Sequence, residues 1–419
     1  MLRHQYILNL DRAEVQSPIV ERIGAVIEAI NAEHLLARLD AERGPHGRDD
    51  FPNRTLWHCL LVFACLGVRT ITEGIRHLEL SASLRGLCGI CSPGTIPNKH
   101  AFYRFERRLS RHLDELEAMF AGLVRKLAKD LTGFGERLAT DSTKVHSLAN
   151  GKKPAADEDA SWKKYEHAYT DAKGQPKKSI VKWFGYKVHL LVDAFYELPI
   201  AALLSTAKDN DAPHFPELWW KGKANLPELY TRAKSNALDK GYDETAVHKT
   251  LWADRVMPVI AIREQTEEEN KVLLPESQQV CPNNRPLRFD GFEWGRQALR
   301  YDRPQDCPKV HKKGYCELSC TCGQKLVRVK IDDTNLRHLG PVPRHSKKYQ
   351  RLYNGRSAVE RVNERLKERW GLDCVRRRGR YRVSVWAQLA LLCMNAFALS
   401  MAECGRFSEV RKTVYTISA

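Results

Sequence analysis

The apolar period of this chain changes once, near Leu138, and that change limits the folds open to it. Before it, apolar residues recur at helical spacing over residues 19–39, 56–66 and 71–84. Asn98 is placed to cap a further helix, with Phe102, Phe105, Leu109 and Leu113 on one face and Arg104, Arg107, Arg108 and Arg111 supplying charge. After it come short β-like runs over residues 138–145, 181–194, 198–206, 229–238 and 256–262, with a helix expected at 244–252. Strands, then strand–helix–strand, then a helical segment predict an α/β core: a mixed sheet with flanking helices, preceded by an all-helical N-terminal domain. Residues 151–178 are polar and read as a surface loop. Residues 264–349 break the strand–helix alternation and read as an insertion. The expected organisation is therefore a helical domain at 1–133, the first part of the core at 134–263, the insertion at 264–349 and C-terminal core helices at 350–419.

Charge narrows the class of partner. Lys and Arg outnumber Asp and Glu by 68 to 51, a net charge of +17. An excess of that size suits a polyanion, because neutralising phosphates releases their counterions. The basic N-terminal helices fit either a helix-turn-helix-like DNA reader or a plain helical bundle. An anionic membrane would require an anchor. The longest apolar run, residues 386–402, carries Gln388 and Asn395 and falls short of the ~20 residues that span a bilayer. It reads as a buried core helix. The start, Met1-Leu-Arg-His-Gln-Tyr, has no secretory pattern, so a cytoplasmic, nucleoid-associated protein with reduced thiols is expected.

Three blocks carry chemistry. In Tyr353-Asn-Gly-Arg356-Ser-Ala-Val-Glu360, followed by Lys367, a helix would gather Tyr353, Arg356, Glu360 and Lys367 on one side. Val359, Val362, Leu366 and Trp370 would form the apolar stripe opposite. A solvated helix with Arg356–Glu360 pairing is the plain alternative. Upstream lie Leu138-Ala-Thr-Asp141-Ser-Thr-Lys-Val and Ala237-Leu-Asp239-Lys-Gly-Tyr-Asp243. Asp141 falls within one β-like run and Asp239 at the end of another. Other acids compete: Asp243 as an N-cap, Asp193 as a turn residue, and Glu364 beside Glu360.

The spacing Tyr-x2-Arg-x3-Glu-x6-Lys, with the two upstream blocks in order, resembles the DDE insertion-sequence transposases. The resemblance implies an RNase H-like catalytic core over residues 138–385 apart from the insertion. It makes Asp141, Asp239 and Glu360 the catalytic acids and ligands of Mg²⁺ or Mn²⁺. Tyr353, Arg356 and Lys367 would contact DNA phosphates. It further implies double-stranded DNA partners, both transposon ends and target, a homodimer in the synaptic complex, and hydrolysis of the ends followed by strand transfer. An inactive DNA-binding derivative, or a nuclease without strand transfer, remain the alternatives. Lys187, with His189 on the same run, and Lys240 beside Asp239 are further candidates for DNA contact, as is the patch Arg376, Arg377 and Arg378. Within the insertion, Cys307, Cys316, Cys320 and Cys322 suggest a structural Zn²⁺ site or incidental thiols, since their spacing lacks paired CxxC knuckles.

Overall fold

The computed structural model describes residues 17–42, 51–152, 156–170, 174–263, 286–304, 326–332 and 336–412. The N-terminal part holds helices α1 (Pro18–Ala29), α2 (Glu33–Ala41), α3 (Asn53–Cys65), α4 (Ile71–Leu80), α5 (Ala82–Leu87), α6 (Lys99–Leu109) and α7 (Leu113–Asp130). The run at 19–39 breaks into two helices, and the run at 71–84 breaks at Ser81, whose hydroxyl accepts from the Leu84 N–H and restarts the chain as α5. Asn98 caps α6 as its position requires, accepting from the His100 and Ala101 N–H groups at 3.0 Å. The apolar face is Phe102, Phe105 and Leu109, all fully buried; Leu113 begins the next helix instead.

The sheet is built from β1 (Arg137–Ser147), β2 (Ser161–Thr170), β3 (Pro176–Asp193), β4 (Leu198–Thr206), β5 (Ser235–Leu238) and β6 (Met257–Ile260). Its core runs β4-β3-β1-β5-β6, antiparallel on the β4-β3-β1 side and parallel from β1 to β6. Between β4 and β5 lie α8 (Phe215–Asn225) and the one-turn α9 (Pro227–Tyr230); α10 (Thr245–Ala253) joins β5 to β6. Pro227 starts α9, so only the last part of the β-like run at 229–238 pairs as a strand.

Residues 161–170 correct the loop expected at 151–178. They form β2, which pairs with the outer half of β3 from Ser161↔Gly185 to Thr170↔Pro176. The insertion, which breaks the strand–helix alternation in sequence, has a sheet of its own. β7 (Arg288–Glu293), β8 (Ala298–Asp302) and β9 (Leu326–Lys330) form an antiparallel sheet over Leu299, Tyr301, Ile331 and Leu336, and Trp252 of α10 packs on it. Cys307, Cys316, Cys320 and Cys322 lie outside the described residues.

The chain then forms α11 (Leu336–Leu339), α12 (Lys347–Asn354), α13 (Ser357–Glu368), β10 (Cys374–Val375) and α14 (Arg380–Glu403). The single helix read across Tyr353 and Glu360 is therefore two, broken at Gly355-Arg356. α14 is long and apolar enough to cross a bilayer, but it is buried inside the protein by α7, α1, α3 and β4. One hydrophobic cluster runs from Ile23 through the sheet to Val410, so the N-terminal helices share their core with the sheet rather than standing apart. A second tie lies at two glycines. Gly67, at φ +63°, and Gly371, at φ +70°, pack backbone on backbone, and a Cβ on either would sit 2.7–2.8 Å from a carbonyl oxygen of the other loop. That contact carries the α3–α4 loop, with Arg69, to the loop that follows α13.

Candidate active site

Strand pairing brings the first two acids together. The β1–β5 register ends at Thr140↔Leu238. Asp141 comes next in β1 and Asp239 follows the last residue of β5, so the two carboxylates sit at the point where the two parallel strands part. Asn236 fixes this register by donating its side-chain N–H to the Thr140 hydroxyl at 3.0 Å. β5 stops there because Asp239 turns the chain into the 3₁₀ turn Lys240–Tyr242.

The third acid arrives on a helix. α13 packs its buried Val359, Val362 and Leu366 towards β1 and β3. That docking leaves Glu360 in its first turn, half exposed, on the wall of a cleft of about 700 Å³ that also holds Asp141, Lys144, Asn363 and Lys367. Asn363, one turn beyond Glu360, donates to Asp141 Oδ2 at 3.4 Å. Arg356 donates to Glu360 Oε1 at 2.8 Å and lies 5.8 Å over the Tyr353 ring. Although α12 and α13 are separate, Tyr353, Arg356 and Glu360 therefore remain neighbours. Arg69 of the α3–α4 loop and Asp373 close the cleft from the other side.

The electrostatics are unusual for a structural site. Burial pushes the Asp141 carboxyl up to about 7; Asp211 and Asp239 push the same way, and the Ser142 N–H and Arg356 oppose them. The Tyr242 hydroxyl, fully buried, is held above its ordinary range by burial and then by Asp141, Asp211 and Asp239. Like charges are thus gathered with too little compensation. Among the described residues, no three acid, His or Cys side chains are close enough together to hold a metal ion, and Glu360 is engaged by Arg356.

Asp211 and Asn363 escaped the sequence reading. Asp211 lies in the turn after β4, where no motif marks it. Lys187 holds it at 2.7 Å, and His189 Nδ1 lies 4.0 Å away. His189 is pushed down to about 4, chiefly by burial, and so stays neutral at ordinary pH. Lys187 is buried against Asp211 and the Asp209 carbonyl, which corrects the expectation that it offers its charge to DNA.

Arg377 requires the same correction. Only 6% exposed, it stacks 3.5 Å over the Trp386 ring, pairs with Glu106 at 3.3 Å and donates to the Arg69 carbonyl. It joins α6 to the segment before α14. Arg376 and Arg378 on either side, and Lys240 beside Asp239, are exposed. Lys367 is half-buried, and burial lowers its ammonium pKa despite Asp373 and Asp141 nearby. Asp243 is not an N-cap. It is wholly buried, accepting from His248 at 3.1 Å, from Arg337 at 3.0 Å and from the Arg263 N–H at 3.0 Å. Asp193 is a turn residue, accepting from the Gly135, Phe195 and Tyr196 N–H groups.

Residues 132–396, which include all three acids, match the family described as "Transposase DDE domain". No curated protein matches the sequence. Among solved structures, the cryo-EM structure of a piggyBac transposase synaptic complex with hairpin DNA is similar at 13% identity and TM-score 0.35, over 96% of this chain and 75% of that one; this likeness is too distant to bear on function. The family match spans well over half of the sequence, and the chain belongs to the transposase DDE domain family.

Proposed function

We propose that the chain is a DNA transposase with an RNase H-like core, acting on phosphodiester bonds at the ends of its element. The observation that carries this reading is Asp141 within β1, next to Asp239 at the end of β5 and crowded by Asp211, with Asp141 and Glu360 lining one cleft.

The donor set fits hard divalent cations. It consists of oxygens, it gathers negative charge without enough protein cations, and it leaves Asn363 Oδ1 without a partner among the described residues. Asp141 and Asp239 would hold such ions, joined by Glu360 once Arg356 releases it. When bound, Mg²⁺ or Mn²⁺ supplies Lewis acidity for the scissile phosphate and for the attacking and leaving oxygens.

The protein's own groups do the rest. Asn363 orients Asp141 by its hydrogen bond. Arg356, freed from Glu360, is a planar fork suited to two phosphate oxygens, and Lys367 and Arg69 add point charge along the cleft. In the first reaction a water oxygen bonds to phosphorus and the bond to the 3′ oxygen breaks, leaving a 3′-OH on the element end. In the second, the oxygen of that hydroxyl bonds to a target phosphorus and the bond to the target's 3′ oxygen breaks, so the element end is joined to the target's 5′ phosphate and a target 3′-OH is left. The N-terminal helices are the proposed readers of the terminal inverted repeats, with Arg104 and Arg107 exposed on α6. A homodimer would bring the two ends together.

Incubating the protein with labelled element ends and Mn²⁺ or Mg²⁺ tests the proposal. Metal-dependent nicking at the end, followed by joined products, is the expected result. Nicking without joining would leave a nuclease, and binding without either would leave a DNA-binding derivative.

A further inference from the structure

The ribbon of β2 and the outer half of β3 differs in character from the sheet that bears it. From Trp183 inward β3 is buried, whereas its outer half and the β2 strand beside it are largely exposed. The base of the ribbon is fixed. At Gly185, φ +150°, β3 passes from pairing with β2 to pairing with β4, and a Cβ there would lie 2.2 Å from the Val145 carbonyl oxygen of β1. The ribbon is therefore anchored on the strand that carries Asp141. Lys144 of that strand lines the acid cleft and donates to the Tyr165 hydroxyl of β2 at 2.7 Å.

Charge on the ribbon is one-sided. Among the described residues of the ribbon, Lys163, Lys164, Lys177, Lys178 and Lys182 stand against Glu166, which is taken by Lys178 at 3.1 Å. Lys164 and Lys182 are direct cross-strand partners, so both ammonium groups leave the same face of the ribbon. Like charges in that position oppose each other and weaken the pairing. A phosphate chain laid across them would turn the repulsion into attraction. On the same face, Trp162 stands opposite Phe184 and remains 47% exposed.

We propose that this ribbon is a duplex-DNA-binding arm, with Lys164 and Lys182 gripping phosphates of DNA that continues into the acid cleft. Lysines serve this role without reading sequence, and a two-stranded ribbon is of a size that a DNA groove admits. The inference rests on the transposase reading, because that reading makes duplex DNA the anion that passes the cleft.

The test uses the full chain, a labelled duplex of random sequence and a series of salt concentrations. Lys164→Glu places a carboxylate opposite Lys182, so its thermal midpoint should equal or exceed that of the wild type. Its DNA affinity at low salt should nevertheless fall by about tenfold or more. The slope of log affinity against log salt should shrink by about 1.8, two phosphate contacts at about 0.9 each. Lys164→Ala with Lys182→Ala should repeat the loss of slope. Wild-type binding with unchanged affinity and slope in both variants overturns the arm and leaves the transposase reading intact. Failure of the wild type to bind any duplex sinks both.

Discussion

Asp239 and Asp243 lie four residues apart and belong to opposite kinds of site. Asp243 is buried, yet its carboxyl is held well below the ordinary range. Burial alone would raise it, but hydrogen bonds from His248, Arg337 and the Arg263 N–H outweigh that. Asp239 instead follows β5 near Asp141, whose carboxyl is raised by the same kind of burial with no comparable set of donors. A carboxylate that serves the fold has its cations supplied by the chain. On the proposed reading Asp141 is left short of such donors, and that deficit is what a metal ion would meet.

The sharpest break between the two sites should come from neutralising one acid in each. Asp141→Asn should reduce end cleavage by more than about a thousandfold, about 4 kcal/mol in the barrier, while the metal-free protein melts at or above the wild-type temperature. Loss of stability in that variant would make Asp141 a structural acid and end the contrast. Asp243→Ala should behave in the opposite way. Removing one member of a buried pair costs about 3–5 kcal/mol, read by denaturant unfolding at neutral pH. Its pH dependence follows from the sign of the shift. A carboxyl with a lowered folded pKa contributes stability above its unfolded value, near 3.9, and loses it as pH falls towards the folded one. The wild type should therefore lose stability on acidification below about pH 4 more steeply than Asp243→Ala.

Arg356 tests the face between the acids and DNA. If it served only to pair with Glu360 on a helix surface, Arg356→Ala would cost about 0.5 kcal/mol or less and spare the chemistry. As a phosphate-gripping fork it should lower cleavage by more than about tenfold, and Arg356→Lys should recover only part of that. Matched folded preparations of the two variants, assayed on one end substrate, decide between these.

Much of this arrangement was legible in the sequence because it is local. Strand β4 matches its β-like run residue for residue, and the Asn98 cap and the buried 386–402 helix follow from composition and period. Asp141 and Glu360, from the first and last acid blocks, line one cleft. Partner choice was not legible. Lys187 and Arg377 look like free cations in sequence, and only tertiary packing gives them Asp211 and Glu106. β2 was hidden because Lys163, Lys164 and Glu166 break any apolar alternation in a strand with both faces wet. The strands of the insertion were missed for the opposite reason. Their alternation, as in Ala298-Leu-Arg-Tyr-Asp302, is present, but they form a separate antiparallel sheet outside the strand–helix order of the core.

The smallest expected effect concerns Asp211, the acid that no motif announced. If its charge helps raise Asp141, then Asp211→Asn should lower the apparent pKa of Asp141 in the metal-free protein. The freed Lys187 ammonium adds to that direction, since a cation no longer paired favours a nearby carboxylate. A raised acid makes the folded state bind its proton more tightly than the unfolded chain does. Stability from this source is therefore fully present below the unfolded value near 3.9 and is lost as pH rises towards about 7 in the wild type. In Asp211→Asn that loss should be smaller and finish at lower pH, as followed by thermal melting in chelator or by carboxyl NMR. An unmoved Asp141 midpoint would mean that burial alone sets it. The contrast with Asp243 would then lie in missing donors, with no contribution from gathered like charge.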